Sequence, residues 1–173
     1  MRFTRIQVFL LLIIALILIG SLIAFTPFQK YYVFIDNETE DIAAYVPLES
    51  PYFQLNYTHS IHLSEVIESY KVVDNDDLMM TELEYEDFNI GMPSNAGEGE
   101  TFVEKDGKYF IKNMTRKLPE FRLFVGDVDA NLSFITKGYQ LDLKRTLERG
   151  KSYTFRVERL SLLQLREGVR IDE

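Results

Sequence analysis

The sequence predicts an all-β fold behind a single N-terminal transmembrane helix, with the strands forming an antiparallel β-sandwich or small barrel. Three observations carry this. Residues 8–25 are an uninterrupted uncharged apolar run, VFLLLIIALILIGSLIAF. From residue 31 onward apolar residues alternate with polar ones and seldom recur at helical spacing, which is the period of half-buried strands. Clusters of Asp, Asn and Gly cut that pattern into short segments. A length of 173 residues allows one domain and leaves too little for two ordinary ones.

The apolar run spans about 27 Å as a helix, close to one bilayer core. Arg2 and Arg5 precede it and Lys30 is the only charge just after it. The positive-inside bias therefore keeps residues 1–7 in the cytoplasm, makes 8–28 the anchor and exports 29–173 as an extracytoplasmic β domain. The rival reading is a cleaved signal peptide, whose apolar part is typically about 7–15 residues and ends at a small-x-small site. Cleavage after Ala24 would put Leu22 where a small residue is wanted, so a retained anchor is preferred. The segment 25–28 around Pro27 ends the helix.

Composition narrows the function. All 27 acidic residues lie after residue 30, against 16 of the 19 basic ones, so residues 31–173 carry a net −11. Such a domain stands off anionic lipid and does not attract nucleic acid. With no cysteine, a disulfide scaffold, a thiolate zinc site, a cysteine nucleophile and a lipid-modified N-terminal cysteine are all excluded. Tryptophan is absent as well, but 13 Phe and 10 Tyr supply a core. Asn-x-Ser/Thr triplets at Asn37, Asn56, Asn113 and Asn131 are uninformative without a known source.

Taken in order, residues 31–35 and 42–46 read as the first strands. Phe53, Leu55, Tyr57 and His59 share one face of the next, and Val66, Glu68, Tyr70 and Val72 one face of another. Asp74-Asn75-Asp76-Asp77 separates 65–73 from 78–85, and Asp106-Gly107 joins 101–104 to 108–112 as a tight hairpin. Strands follow at 121–125, 132–136, 139–143 and 152–159, set apart by Gly126, Gly138 and Gly150. Eight to ten strands are expected in all. Residues 160–166 fit a last strand or a short helix equally well, and 94–100 (SNAGEGE) reads as a mobile loop.

Both histidines fall in His59-Ser60-Ile61-His62-Leu63-Ser64-Glu65-Val66-Ile67-Glu68. As zinc ligands, His59, His62, Glu65 and Glu68 offer suitable donors at a spacing that suits a helical turn, which the flanking strands oppose. As a triad, His59, Ser60 and Glu68 have the right types, but a serine next to its own base on an extended chain points to the opposite face. The simplest reading is structural: His59 and Glu68 hydrogen-bond across the hairpin while Ser60 organises the turn. Asp127-x-Asp129-x-Asn131 repeats the first half of a calcium loop, but Leu132 and Gly138 replace the glycine and bidentate carboxylate of the second half. Gly91-Met92-Pro93 marks a shaped bend. No metal or other cofactor is expected.

Tyr57-Thr58-His59-Ser60-Ile61, Val66-Ile67-Glu68-Ser69-Tyr70, and the acidic-aromatic stretch 82–88 followed by Gly91-Met92-Pro93 resemble the DUF1850 family, with weaker similarity carrying on to about residue 159. The resemblance covers about 53–159; Ser64 departs from the threonine-proline often seen in the family just ahead of the valine. It implies an exported, often anchored β domain associated with tripartite transporters of the TAXI-type TRAP class, which import organic anions. It carries no established activity. His59, Ser60, Glu68, Gly91 and Pro93 are thus the candidate structural or partner-binding cluster of a non-enzymatic accessory or binding component in solute uptake. The alternative is a cell-surface hydrolase or metal-dependent enzyme using His59, His62 and Glu68.

Overall fold

The computed structural model describes residues 4–59, 63–86 and 92–171. The N-terminal run forms α1 (Arg5–Phe25), closed at its start by a capping box in which the Thr4 side chain accepts from the Gln7 backbone N–H and the Gln7 side chain accepts from that of Thr4. It is long and apolar enough to cross a membrane.

Thirteen strands follow among the described residues: β1 (Gln29–Asp36), β2 (Ile42–Pro47), β3 (Tyr52–Thr58), β4 (Glu65–Val72), β5 (Leu78–Tyr85), β6 (Thr101–Lys105), β7 (Lys108–Lys112), β8 (Lys117–Leu118), β9 (Glu120–Phe124), β10 (Leu132–Thr136), β11 (Tyr139–Asp142), β12 (Ser152–Leu160) and β13 (Val169–Arg170). This exceeds the eight to ten expected, partly because β8 and β13 are two-residue ladders too short to show a period. One sheet runs β13-β2-β1-β12-β9; the other runs β11-β10-β3-β4-β5-β7-β6, with β8 beside β5. Pairing is antiparallel except where β13 joins β2. The two sheets stack as a sandwich, which decides between the two architectures that the alternation allowed.

Local chemistry sets the turns. Asp106 and Gly107 both take positive φ (55° and 78°) between β6 and β7, the conformation that Asp-Gly favours in a two-residue hairpin. Lys137 and Gly138 do the same (53° and 86°) between β10 and β11, although lysine there carries no turn signature. Residues 160–166 divide: Leu160 completes β12, and Gln164–Arg166 form one turn of 3-10 helix.

The core lies between the sheets. Tyr32 and Phe34 of β1, Phe155 of β12, Phe53 of β3 and Phe134 of β10 interlock as a buried aromatic block. β1 is buried on both faces, because Tyr31 and Val33 on its outer side pack in a cluster with Ile42 and Tyr45 of β2, Leu160 of β12 and Leu165. This explains why YYVF reads as a continuous apolar run. A second cluster, Val66, Leu83, Tyr85 and Ile111, sits where β5 and β7 extend the longer sheet, and Met92 and Ala96 of the following connection pack on it. That connection, expected as a loop, contains no strand across 94–100.

Candidate functional site: an inter-sheet cavity with an inward carboxylate

Strand register decides which side chains enter the sandwich. In the β3–β4 pair, Phe53 faces Tyr70, Leu55 faces Glu68 and Tyr57 faces Val66. Directly opposed residues share a face, so Glu68 enters the interior alongside Leu55, Tyr57 and Tyr70. Opposite them, β9 turns Phe121 inward, where its ring stacks on Tyr70 at 5.4 Å between centroids.

Beyond that contact the sheets separate around a cavity of about 600 Å³. Leu55, Tyr57, Phe121, Leu123 and Leu132 form its apolar walls. Thr58 and His59 lie at the end of β3, and Gly126, Asp127, Val128 and Ala130 follow β9. Phe124 and Val128 are exposed. Both the size and the mixture of apolar walls with few polar groups are those of a small-molecule site.

Glu68 is held by two phenols. The Tyr57 hydroxyl donates to its Oε1 at 2.9 Å and the Tyr70 hydroxyl to its Oε2 at 2.7 Å. Burial, reinforced by the adjacent Glu68 charge and these bonds, pushes both tyrosines well above their ordinary value of 10.0. Both therefore remain protonated donors at neutral pH. Two cationic residues, Arg122 and Lys144, border the same cavity without forming an ion pair with Glu68. Arg122 alternates with Phe121 and leaves from the outer face of its sheet, opposite Thr154, and the Lys144 ammonium donates to the Val128 carbonyl at 2.8 Å.

The sequence-derived cluster is partly assembled here. His59 and Glu68 line the same cavity, but they do not form the expected cross-hairpin bond, since both bonds to Glu68 come from tyrosines. The reason is register. β3 ends at Thr58, opposite Glu65, and His59 closes the connection through backbone bonds with Leu63 and Ser64, whereas Glu68 lies further along opposite Leu55. Pro93 serves the bend: its carbonyl accepts from the Tyr85 hydroxyl, and its neighbour Met92 reaches the cavity. Ser60, His62 and Gly91 lie outside the described residues. Among the described residues no three His, Asp or Glu side chains gather as a metal centre. The half calcium loop is dispersed: Asn131 donates to Asn56 Oδ1 (2.8 Å), Asp129 extends toward Arg149 (3.9 Å), and Asp127 stands at the cavity. Asn56 is itself only 8% exposed and donates to Glu65, Asn113 donates to Thr101 and Asn37 accepts from Thr154, so all four Asn-x-Ser/Thr triplets have their amides engaged with strand residues.

Sequence reasoning missed Tyr57 and Tyr70 as the partners of Glu68. The available signal was the alternation itself, which placed Glu68 on the same face as Tyr70 and thus inside any sandwich built on that face. No curated protein and no solved structure matches the chain. Residues 53–143 match DUF1850, a domain of unknown function, over more than half of the chain and through every strand from β3 to β11, so the chain belongs to the DUF1850 family.

Proposed function

We propose that the protein is a non-enzymatic binding module held at the outer face of the cytoplasmic membrane, with residues 1–7 inside, 8–28 as a retained anchor and 29–173 outside, acting as an accessory component of solute uptake. The observation that carries the reading is the inter-sheet cavity, which has the volume and walls of a small-molecule site. Two of its polar groups are engaged within the protein: two phenols hold Glu68, and Lys144 holds a backbone carbonyl. This arrangement favours binding over hydrolysis or metal chemistry through His59, His62 and Glu68. The uncharged helix Arg5–Phe25 supports the anchor, and the Arg2/Arg5 pair supports its orientation. Partnership with TAXI-type TRAP transporter components rests on the family resemblance, and the net −11 of residues 31–173 argues against nucleic acid.

Leu123→Trp tests the reading by filling the cavity from the partly exposed strand β9. In cells carrying the partner transporter, the variant is expected in the membrane fraction at its uncleaved mass, with solute uptake lowered about ten-fold if ligand capture limits transport. Unchanged uptake would overturn the binding role. A mature N-terminus near Phe25 in the soluble fraction would overturn the anchor.

A further inference from the structure

The inner face of a β-sandwich is normally apolar, and Glu68 breaks that rule with a carboxylate lining a cavity. A carboxylate is acceptor-only, with about four lone-pair directions on its two oxygens. The Tyr57 and Tyr70 hydroxyls occupy one on each oxygen. Among the described residues no Lys, Arg or His forms an ion pair with Glu68. Arg116 acts electrostatically on Tyr70 but makes no bond to the carboxylate, and His59 borders the cavity without bonding to it. A partly buried carboxylate therefore faces the cavity with lone pairs still open and, among the described residues, no cationic side chain bonded to it, although Arg122 and Lys144 border the same space.

We propose that the cavity binds a small organic ammonium ion, its cationic group seated on Glu68 and its apolar part against Leu55, Phe121, Leu123 and Leu132. This inference rests on the binding-module reading and assigns the ligand class of that site. An ammonium group supplies both the charge and the N–H donors that the free lone pairs lack, and charge-assisted bonds of this kind are the stronger ones. The rings of Tyr57 and Phe121 line the same space and offer aromatic faces that attract a cation. The net −11 of residues 31–173 concentrates cations around the domain. An organic anion of the same size would instead meet Glu68 as a like charge in a site of reduced dielectric.

The experiment is calorimetric titration of the full chain in non-ionic detergent with phenethylammonium, and in parallel with 3-phenylpropionate, a carboxylate of matched size. Wild-type protein is expected to bind phenethylammonium saturably and 3-phenylpropionate not at all. Glu68→Gln, which keeps the shape and one acceptor but removes the charge, is expected to weaken phenethylammonium at least about ten-fold. Leu123→Trp, which closes the cavity while leaving the carboxylate in place, is expected to abolish binding. No saturable binding of phenethylammonium, equal affinity in Glu68→Gln, tighter binding of 3-phenylpropionate, or binding retained in Leu123→Trp would each overturn the proposal. Should Glu68→Gln fail to fold, the Leu123→Trp and 3-phenylpropionate arms still decide it. If phenethylammonium does not bind yet Leu123→Trp lowers uptake, the ligand class falls and the binding module stands. If phenethylammonium binds and Leu123→Trp leaves uptake unchanged, the site stands and the role in uptake falls.

Discussion

The two ends of the sandwich interior are built by the same pair of sheets and come out differently. Under β1 and β12 the space is filled: Tyr32, Phe34, Phe134 and Phe155 are fully buried, with ring centroids 4.9 to 6.2 Å apart. Under β9, at the edge of the shorter sheet, the inward residues Phe121 and Leu123 are only partly buried and the space beside them stays open. An edge strand has a neighbour on one side alone, and the chain leaves it through Gly126 and the exposed Val128, which place no large side chain over the gap. Stability and accessibility are thus separated along one core. At the filled end the buried charge that closes β1, Asp36, is paired with Lys151 at 3.1 Å, whereas the open end accommodates Glu68 on a pair of tyrosine hydroxyls.

The sharpest way to break this comparison is to truncate one ring at each end. Phe134→Ala is expected to cost about 3–5 kcal/mol, since its rigid aromatic surroundings cannot collapse into the void. Phe121→Ala, beside an existing cavity, should cost clearly less. Chemical denaturation measures both, and equal losses would mean that the two ends are not mechanically distinct.

A smaller effect is expected from the polar group of the open end. Glu68→Ala leaves two partly or fully buried phenols without an acceptor, at a cost of about 1–3 kcal/mol. The triple variant Glu68→Leu/Tyr57→Phe/Tyr70→Phe removes donors and acceptor together, and should regain most of that stability or exceed wild type. If the triple variant were less stable than Glu68→Ala, the three side chains would be a stabilising network and not a retained binding feature.

The smallest effect is on alkaline stability. Tyr57 and Tyr70 have values raised above 10.0 in the folded chain, chiefly by burial and then by Glu68, whereas the unfolded chain ionises them normally. Their contribution is therefore complete below pH 10 and declines as pH rises from there toward the folded values, because the unfolded chain loses protons first. The melting temperature of wild type should fall more steeply above about pH 10 than that of Tyr57→Phe/Tyr70→Phe. Parallel curves would place the alkaline sensitivity on other groups.

Much of this architecture was readable along the chain because its signals are local. The transmembrane-length helix rests on one uncharged run, and β3, β4, β5 and β10 each carry the period-2 pattern in their own residues. Asp106-Gly107 encodes its hairpin through two residues that accept positive φ. What failed locally failed for local reasons: β8 and β13 have two residues each, and Lys137 makes a turn without a turn residue's signature.

The sequence by itself determined that a β domain follows an apolar helix and that the chain after the helix is acidic, and it singled out His59, Glu68 and the Gly91-Met92-Pro93 bend as one candidate cluster. Only the tertiary structure decided what Glu68 touches. Alternation assigns a side chain to a face, but the register between β3 and β4 places Glu68 opposite Leu55, beside Tyr57 and Tyr70, and short of His59. The cavity is still less local: it arises because β9 borders one sheet where the other continues through β5, β7 and β6, a mismatch between strands distant in sequence that no single segment contains.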